Sequence, residues 1–470
     1  MSHEGAFARR RMRGAEKDQE QAPFDRAQGR PDERGEKDQG GRIPLRANAR
    51  PHSAGAECVV RGMTRRDFLR RAAAGAAATA GMASGMGAGL PAVFGGAFAA
   101  GRMRGAGTAA SKAGMKYRTL GRTKLKVSEL GMGTIVTQNP DVIHRAMDLG
   151  ITFFDTAECY QNGNSEVKLG EALKGRRDKV VVATKWHTEP RIRPGANAPY
   201  GHTPAADLRR SLDLSLQRLK MDHVDLIQIH GADNVAQVSS DELWDAFTQA
   251  RKDGKVRFNG FSTHGSIATM DAAIKNGRYD AVLTSYSAMT ADSLGPVIQR
   301  AHQAGLGVIA MKVLQPAHEG KDSEVFRPFR GNAYQKAIQW VLKDKNVSTA
   351  IVDMPSFEVL EEDFAATQTG MTKAQLGEFE AAVAVVAAGA CHLCGACTGQ
   401  CPAGVKVADI MRYLLYHDGY GHRERAASLY RGLPAGASAA ACGDCAGCKA
   451  VCPWGVPVRE RLERAHAVLA

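Results

Sequence analysis

The chain has 470 residues, 10 cysteines, 51 glycines and a formal charge of +13, so at roughly 150 residues per domain a single small module is excluded. The charge is uneven: residues 1–114 carry 20 Lys or Arg against 11 Asp or Glu, a net of +9, which leaves 42 minus 38, or +4, for residues 115–470. A near-neutral body lacks the clustered Lys and Arg that phosphate neutralisation requires, so no nucleic-acid partner is expected.

Residues 1–62 are rich in Arg, Glu, Asp, Gln, Gly and Pro and cannot bury enough apolar surface to offset the entropy of ordering. They read as a disordered leader, or as an extension upstream of a start at Met63. Residues 63–114 read as a signal and linker. Arg65 and Arg66 precede Asp67, Phe68 and Leu69, a weakly apolar run follows over 72–101, and Ala97, Phe98 and Ala99 offer a small-residue cleavage site. This resembles a twin-arginine export signal, which implies the twin-arginine translocation machinery as a partner and a periplasmic or other extracytoplasmic location. A flexible Ala/Gly linker behind a basic patch is the alternative. The run is too weakly hydrophobic for a permanent membrane span.

From Leu130 onward, β-branched runs alternate with amphipathic segments. The strands are expected over 130–134, 152–156, 180–185, 224–230, 257–262, 281–286, 307–312 and 349–354, with helices over 141–149, 166–173, 204–219, 241–252, 296–304, 332–343 and 357–366. Eight such units in about 240 residues predict an α/β fold, a (β/α)8 TIM barrel over 115–375. A doubly wound open sheet is the runner-up, but LGMGT after the first strand is not the GxGxxG fingerprint. In a barrel the carboxyl ends of strands line the active face. Asp155, Lys185 and His230 end the second, third and fourth strands, and Tyr160 follows Asp155 in the loop.

These residues, in FFDTAECYQNGNSEVKLGEAL, VVVATKW and SLDLSLQRLKMDHVDLIQIH, together with YRTLGRTKLKVSELGMGT and GKVRFNGFSTH, resemble the aldo/keto reductase family over about residues 116–370. The resemblance implies an oxidoreductase that reduces a carbonyl or oxidises an alcohol, with a catalytic tetrad of Tyr160, Lys185, Asp155 and His230. Tyr160 is the acid, and the Lys185 cation eases loss of its proton. Asp155 holds Lys185, and His230 aims a ring N–H at the substrate oxygen. The structural alternative is an internal Asp155–Lys185 ion pair with Tyr160 and His230 as satisfied rim residues.

The resemblance also implies a nicotinamide cofactor, NAD(P)H, across the barrel mouth. Ser262 and Thr263 match the pair that holds the carboxamide, although Thr263 replaces the usual Asn. Met311 and Lys312 stand where relatives stack an aromatic on the nicotinamide. After the eighth strand, where relatives present basic residues to the 2′-phosphate, this chain has Asp353, Glu358, Glu361, Glu362 and Asp363. Carboxylates there repel a phosphate, which disfavours NADPH and leaves NADH, another hydride source or no nucleotide. The loops over 188–203 and 315–330 carry no readable substrate chemistry.

Near the C-terminus, CHLCGACTGQCP and CGDCAGCKAVCP both fit C-x2-C-x2-C-x3-C-P, the spacing that wraps three thiolates around a cubane and sends the fourth to a neighbouring cluster. They resemble a bacterial-type two-cluster ferredoxin. The resemblance implies two 4Fe-4S clusters, one on Cys391, Cys394, Cys397 and Cys452, the other on Cys442, Cys445, Cys448 and Cys401. Zinc is the alternative for four thiolates. Helical segments over 407–416 and 423–429 predict a small, mainly helical ferredoxin-like domain over 385–470. Cys159 reads as rim packing and Cys58 lies in the leader. The expected whole is an exported aldo/keto reductase-like enzyme with two clusters for electron transfer and a redox partner protein. The competing readings are a catalytically silent barrel serving as an iron–sulfur electron-transfer subunit, and a binding protein stapled by its clusters.

Overall fold

The structure is a computed structural model that describes residues 114–137, 139–187, 204–329, 331–443, 445 and 447–470. The leader with Cys58, the segment expected to be a twin-arginine signal, and the loop over 188–203 lie outside the described residues. The body is a closed parallel barrel of eight strands: β1 Leu130–Gly133, β2 Phe153–Asp155, β3 Val181–Trp186, β4 Val224–Ile229, β5 Val256–Thr263, β6 Ala281–Ser285, β7 Gly307–Met311 and β8 Thr349–Asp353. Each sits where the alternation of the sequence expects it. Closure through the β8–β1 pairing, Ala350 opposite Leu130 and Asp353 opposite Gly133, excludes the open doubly wound sheet.

Side chains alternate inward and outward along each strand, and that parity delivers the polar residues to the barrel interior. Phe153, Val181, Ala183 and Leu226 belong to the inner core, whereas Phe154, Val182 and Ile227 belong to the shell beneath the helices. Asp155, Lys185, Gln228 and His230 share the parity of the inner set, one or two pleats further along. An antiparallel hairpin, Tyr117–Thr119 with Lys126–Ser128, lies at the opposite end, and Leu120 and Val127 extend the inner core there. The floor is therefore apolar and the mouth polar.

The helices follow their capping and periodicity. Asp241–Lys252 has Ser240 accepting from Leu243 N, acidic residues in its first turn and basic ones in its last, which complements the helix dipole. Ala205–Leu219 buries Leu208, Leu212, Leu216 and Leu219 on one face. The helix expected from 296 starts earlier, Ala291–Gln303, with Pro296 inside it. Burial of Leu294, Val297, Ile298 and Ala301 outweighs the proline's local preference for a first turn. The Lys373–Ala387 helix crosses the interval between the two expected domains, and its Phe379 packs on Phe326 and Phe329.

The C-terminal part has its own small core, contributed by the helices Val407–Asp418, Arg423–Arg431 and Val458–Leu469, including Ile410, Leu414, Leu429, Leu462 and Leu469. Among the described residues no helix is long and apolar enough to cross a membrane.

Candidate active site and cysteine sets

Asp155 and Lys185 are 2% and 1% exposed. Lys185 Nζ donates to the Asp155 carboxylate and to the Thr156 carbonyl at 2.7 Å. Gln228 Nε2 donates to the other Asp155 oxygen at 3.0 Å. Burial alone lowers the Lys185 pKa, but the Asp155 carboxylate and the Tyr160 phenol more than offset it and hold the residue as an ammonium.

Tyr160 opens a short helical turn, Tyr160–Gly163, in which Gln161 and Asn162 adopt left-handed φ values of 53° and 57°. Such backbone is uncommon away from glycine and clusters at functional sites. Gln161 Nε2 ties the turn to the Ile135 carbonyl at 2.9 Å. Lys185 Nζ lies 4.6 Å from the Tyr160 ring centroid. The His230 ring meets the Tyr160 ring edge-on at 5.6 Å between centroids. All four residues of the expected tetrad are thus brought together at the barrel mouth. The net effect on the phenol differs from the expectation: burial, the largest influence, raises the Tyr160 pKa, and Lys185 only moderates the rise.

Sequence reasoning missed the shell that holds His230. His187 stacks obliquely on it, with centroids 4.3 Å apart. Glu158 accepts from the His187 backbone N–H at 3.0 Å, lies 3.0 Å from the His187 ring Nδ1, and accepts from Ser211. Burial raises the Glu158 pKa, but these contacts outweigh it and hold the carboxyl below its ordinary value. Cys159 Sγ lies 3.7 Å from His230 Nδ1.

A cavity of about 500 Å3 runs from Asp155 and Tyr160, past Met311 and Lys312, to Asp353, Glu362 and Asp363. Burial raises Asp353 to about 6 and Asp363 to about 8. Lys312 and Arg425 line the same cavity and act on Asp353, and Glu361 pairs outward with Arg145 at 2.6 Å. Ser262 lines a smaller cavity beside Tyr160, but its hydroxyl accepts from Gly231 N at 2.9 Å and donates to the Ile229 carbonyl at 3.3 Å. Thr263 is fully buried, its hydroxyl donating to Asp233 at 2.7 Å and accepting from Ser266 N at 3.1 Å. Thr263 therefore does not face the cavity, and the hydroxyls of both Ser262 and Thr263 are engaged within the protein.

The eight C-terminal cysteines are all free thiols, and they form the two interleaved sets expected. Cys391 interacts with Cys394, Cys397 and Cys452, while Cys442 interacts with Cys401, Cys445 and Cys448. Burial pushes Cys391 to about 12 and Cys397 to about 11. Thiols so placed ionise only when a metal compensates the charge, so the donor set fits iron–sulfur chemistry.

The cysteine-bearing domain lies on the barrel mouth, an arrangement with no local sequence signal. Arg412 of the Val407–Asp418 helix donates to Asp233 at 2.9 Å, lies 2.9 Å from His264 Nδ1, and donates to Asp409 at 2.6 Å. Gly265, with φ of +113°, makes room for the carbonyl of Leu393, which would stand 2.3 Å from a Cβ at that position. A second cavity, of about 340 Å3, is lined by His230, Asp233 and His264 on the barrel side and by Cys391, Cys394, Cys397 and Cys452 on the other. The first cysteine set therefore borders the tetrad's histidine, while Cys448 of the second set is exposed.

A (β/α)8 barrel with a buried Lys–Asp pair beside a tyrosine, carrying eight paired-run cysteines over its mouth, defines an oxidoreductase with an iron–sulfur domain. The Aldo/keto reductase family model matches residues 134–336, and a 4Fe-4S dicluster domain model matches residues 390–456. An uncharacterized oxidoreductase of Bacillus subtilis (strain 168), YrpG, is 35% identical over 222 residues, covering 43% of this chain and 67% of that protein. A second, YqkF, is 33% identical over 157 residues, covering 32% of this chain and 49% of its own, so the chain spans about half the length of that relative. The holo form of aldo-keto reductase AKR11C1 from Bacillus halodurans is 24% identical, with a TM-score of 0.49, over 57% of this chain and 96% of that one. The chain belongs to the aldo/keto reductase family, and it is an oxidoreductase with a 4Fe-4S dicluster domain.

Proposed function

We propose that the chain reduces a small-molecule carbonyl, or oxidises the corresponding alcohol, at Asp155, Tyr160, Lys185 and His230, with electrons reaching the site through two 4Fe-4S clusters. One is held by Cys391, Cys394, Cys397 and Cys452, the other by Cys442, Cys445, Cys448 and Cys401. The observation that carries this reading is that His230 lines both the tetrad cavity and the cavity bordered by the first cysteine set. When bound, such clusters supply electrons one at a time. Tyr160 donates one proton to the substrate oxygen as charge develops there, the carbonyl carbon takes the second proton from water with the electron pair, and the buried Lys185 ammonium stabilises the phenolate left behind. Asp155 and Gln228 keep Lys185 charged and aimed. His230, steadied by the His187–Glu158 contact, orients the carbonyl, and the cysteine-bearing domain shields the mouth from water.

The exposed position of Cys448 supports a redox partner protein that delivers electrons to the second cluster. Twin-arginine export is part of the same proposal, because that route carries chains that have already folded and acquired an inorganic cofactor. The engaged hydroxyls of Ser262 and Thr263 favour a second reading, a barrel that binds no nucleotide and serves as an electron-transfer subunit. Anaerobic purification with iron and sulfide assay, followed by titration with NADH, NADPH and dithionite, separates the two. Carbonyl turnover that needs loaded clusters and is lost in Tyr160→Phe supports the first reading; reducible clusters without turnover on any carbonyl support the second. Fractionation of cells expressing wild type and an Arg65→Lys, Arg66→Lys variant tests export, and an unchanged distribution overturns it.

A further inference from the structure

The Val407–Asp418 helix carries Tyr416 into the barrel mouth, where it lines the cavity of about 500 Å3 and the smaller one of about 110 Å3 that both also hold Tyr160. Tyr416 forms a second tyrosine–lysine pair there. Lys312 Nζ lies 4.3 Å from the Tyr416 ring centroid, as Lys185 Nζ lies 4.6 Å from that of Tyr160. Lys312 holds a left-handed φ of 61°, uncommon for a residue with a Cβ, and makes no carboxylate ion pair among the described residues.

His264 Nδ1 lies 2.9 Å from Arg412 Nη1 and 3.1 Å from Asp233 Oδ2, and its Nε2 faces the Tyr416 hydroxyl at 3.5 Å. Burial, reinforced by Arg412, lowers His264 to about 4, so the ring is neutral at pH 7. The Tyr416 hydroxyl thus sits beside the Lys312 side chain and opens, with Tyr160, on the same two cavities, where it faces any molecule bound there.

We propose that Tyr416 is a second proton donor at the site, beside Tyr160, and that the substrate is a conjugated dione of the quinone class, whose reduction places one proton on each of two oxygens. The proposal rests on the reading of the barrel mouth as the reducing site. An isolated carbonyl takes only one of its two protons on oxygen, the other going to carbon, so it does not match two hydroxyl acids that each serve an oxygen. A quinone takes two electrons, one from each of two one-electron donors of the reduced iron–sulfur class. It also takes two protons, one from each hydroxyl. Both C=O bonds become C–OH as the ring becomes aromatic, and water reprotonates the two phenolates. Ile135, Val136, Leu283, Ile351, Tyr334 and Tyr420 give the cavity apolar and aromatic walls, which suit a planar ring.

The charged groups around Tyr416 are Lys312, Arg412 and Arg425, whose Cζ lies 5.4 Å from the ring, and Asp353 on the same cavity; His264, His422, Tyr420 and Tyr160 are further titratable neighbours. Burial raises the phenol, but the three cations outweigh it and bring Tyr416 to about 8. Tyr160, whose lysine is tied to a carboxylate, is not lowered in this way.

The test uses dithionite-reduced, dithionite-free holoprotein mixed anaerobically with menadione, a naphthoquinone, in stopped flow, alongside a pH titration of Cζ-13C-tyrosine by NMR. The expected results are a wild-type rate that falls above about pH 8 and a tyrosine resonance that titrates there. In Tyr416→Phe that resonance disappears, the alkaline limb is lost, and the rate drops on the order of 100-fold, with cluster absorbance and melting temperature retained. Lys312→Met moves the titration upward. A wild-type protein that does not reduce menadione, a Tyr416→Phe rate equal to wild type, or the absence of a tyrosine titrating near pH 8 overturns the proposal. Tyr160→Phe separates the two levels of inference. If it also leaves the rate unchanged, the barrel mouth is not the reducing site and the underlying reading falls as well; if it abolishes reduction while Tyr416→Phe does not, only the assignment of Tyr416 falls.

Discussion

Arg412, on the first helix after the first cysteine run, donates to the carboxylate of Asp233 in the loop after β4 at 2.9 Å. The guanidinium side chain is 7% exposed and the carboxylate 33%, so the pair seals an edge of the barrel mouth. A charge-assisted hydrogen bond of this kind contributes about 1.5–3 kcal/mol. Arg412→Met, which also removes the contacts with His264 and Asp409, is expected to lower the melting temperature. It should also speed amide exchange in the Val407–Asp418 helix while the barrel strands stay protected. Unchanged exchange there would show that Arg412 does not hold the domain down.

The same contact makes docking sensitive to acid. Burial and Arg412 lower His264 to about 4 from an ordinary 6.5, so the folded state binds fewer protons than the unfolded one through that interval. A group depressed on folding contributes stability above its unfolded pKa and loses it as pH falls toward the folded one. Stability is therefore expected to decline between about pH 6.5 and 4, by on the order of 3 kcal/mol for this residue. His318, lowered by burial to about 4, adds in the same direction. Denaturant midpoints measured across that range check this, and His264→Gln should flatten part of the slope.

Tyr160 and Lys185 differ in what their loss does. Tyr160→Phe removes one hydroxyl and is expected to cost about 10²- to 10⁴-fold in carbonyl turnover with the melting temperature near wild type. Lys185→Met leaves Asp155 buried without its cation, a defect of about 3–5 kcal/mol, so it should compromise folding as well as turnover. Parallel calorimetry and turnover assays distinguish the two outcomes. A Lys185→Met protein as stable as wild type would mean that the pair is not needed for folding.

Cys401 stands in the first cysteine run but keeps company with Cys442, Cys445 and Cys448. Cys401→Ser is accordingly expected to disturb the outer cluster and spare the one beside the barrel, removing about four irons per chain. Iron and sulfide analysis with electron paramagnetic resonance of the reduced protein checks the assignment. A variant whose remaining signal is that of the exposed cluster would reverse it.

Much of this architecture was legible in the chain itself, because local rules encode it. A period of two over short apolar runs, interrupted by helical periodicity, specifies eight strand-helix units. The same parity that turns Val181 and Ala183 inward carries Lys185 to the barrel interior. The cysteine runs were legible for a different reason: ligand spacing along the backbone is characteristic of iron–sulfur binding, and the resemblance to two-cluster ferredoxins implied the crossing of Cys401 and Cys452. Strand ends therefore revealed Asp155, Lys185 and His230 before any coordinates.

What only the tertiary structure decided is what covers the mouth. Arg412 and Asp233 are 179 residues apart, and nothing in the pattern around either names the other. Tyr416 lies in an apolar helical segment that reads as core, and Lys312 at a strand end that resemblance assigns to a cofactor. The spending of Thr263 on Asp233 is likewise invisible until both loops are placed. Periodicity and spacing report on neighbours along the chain; which buried cation meets which phenol depends on the packing of whole domains, where the cost of stranding a polar group selects one arrangement among many.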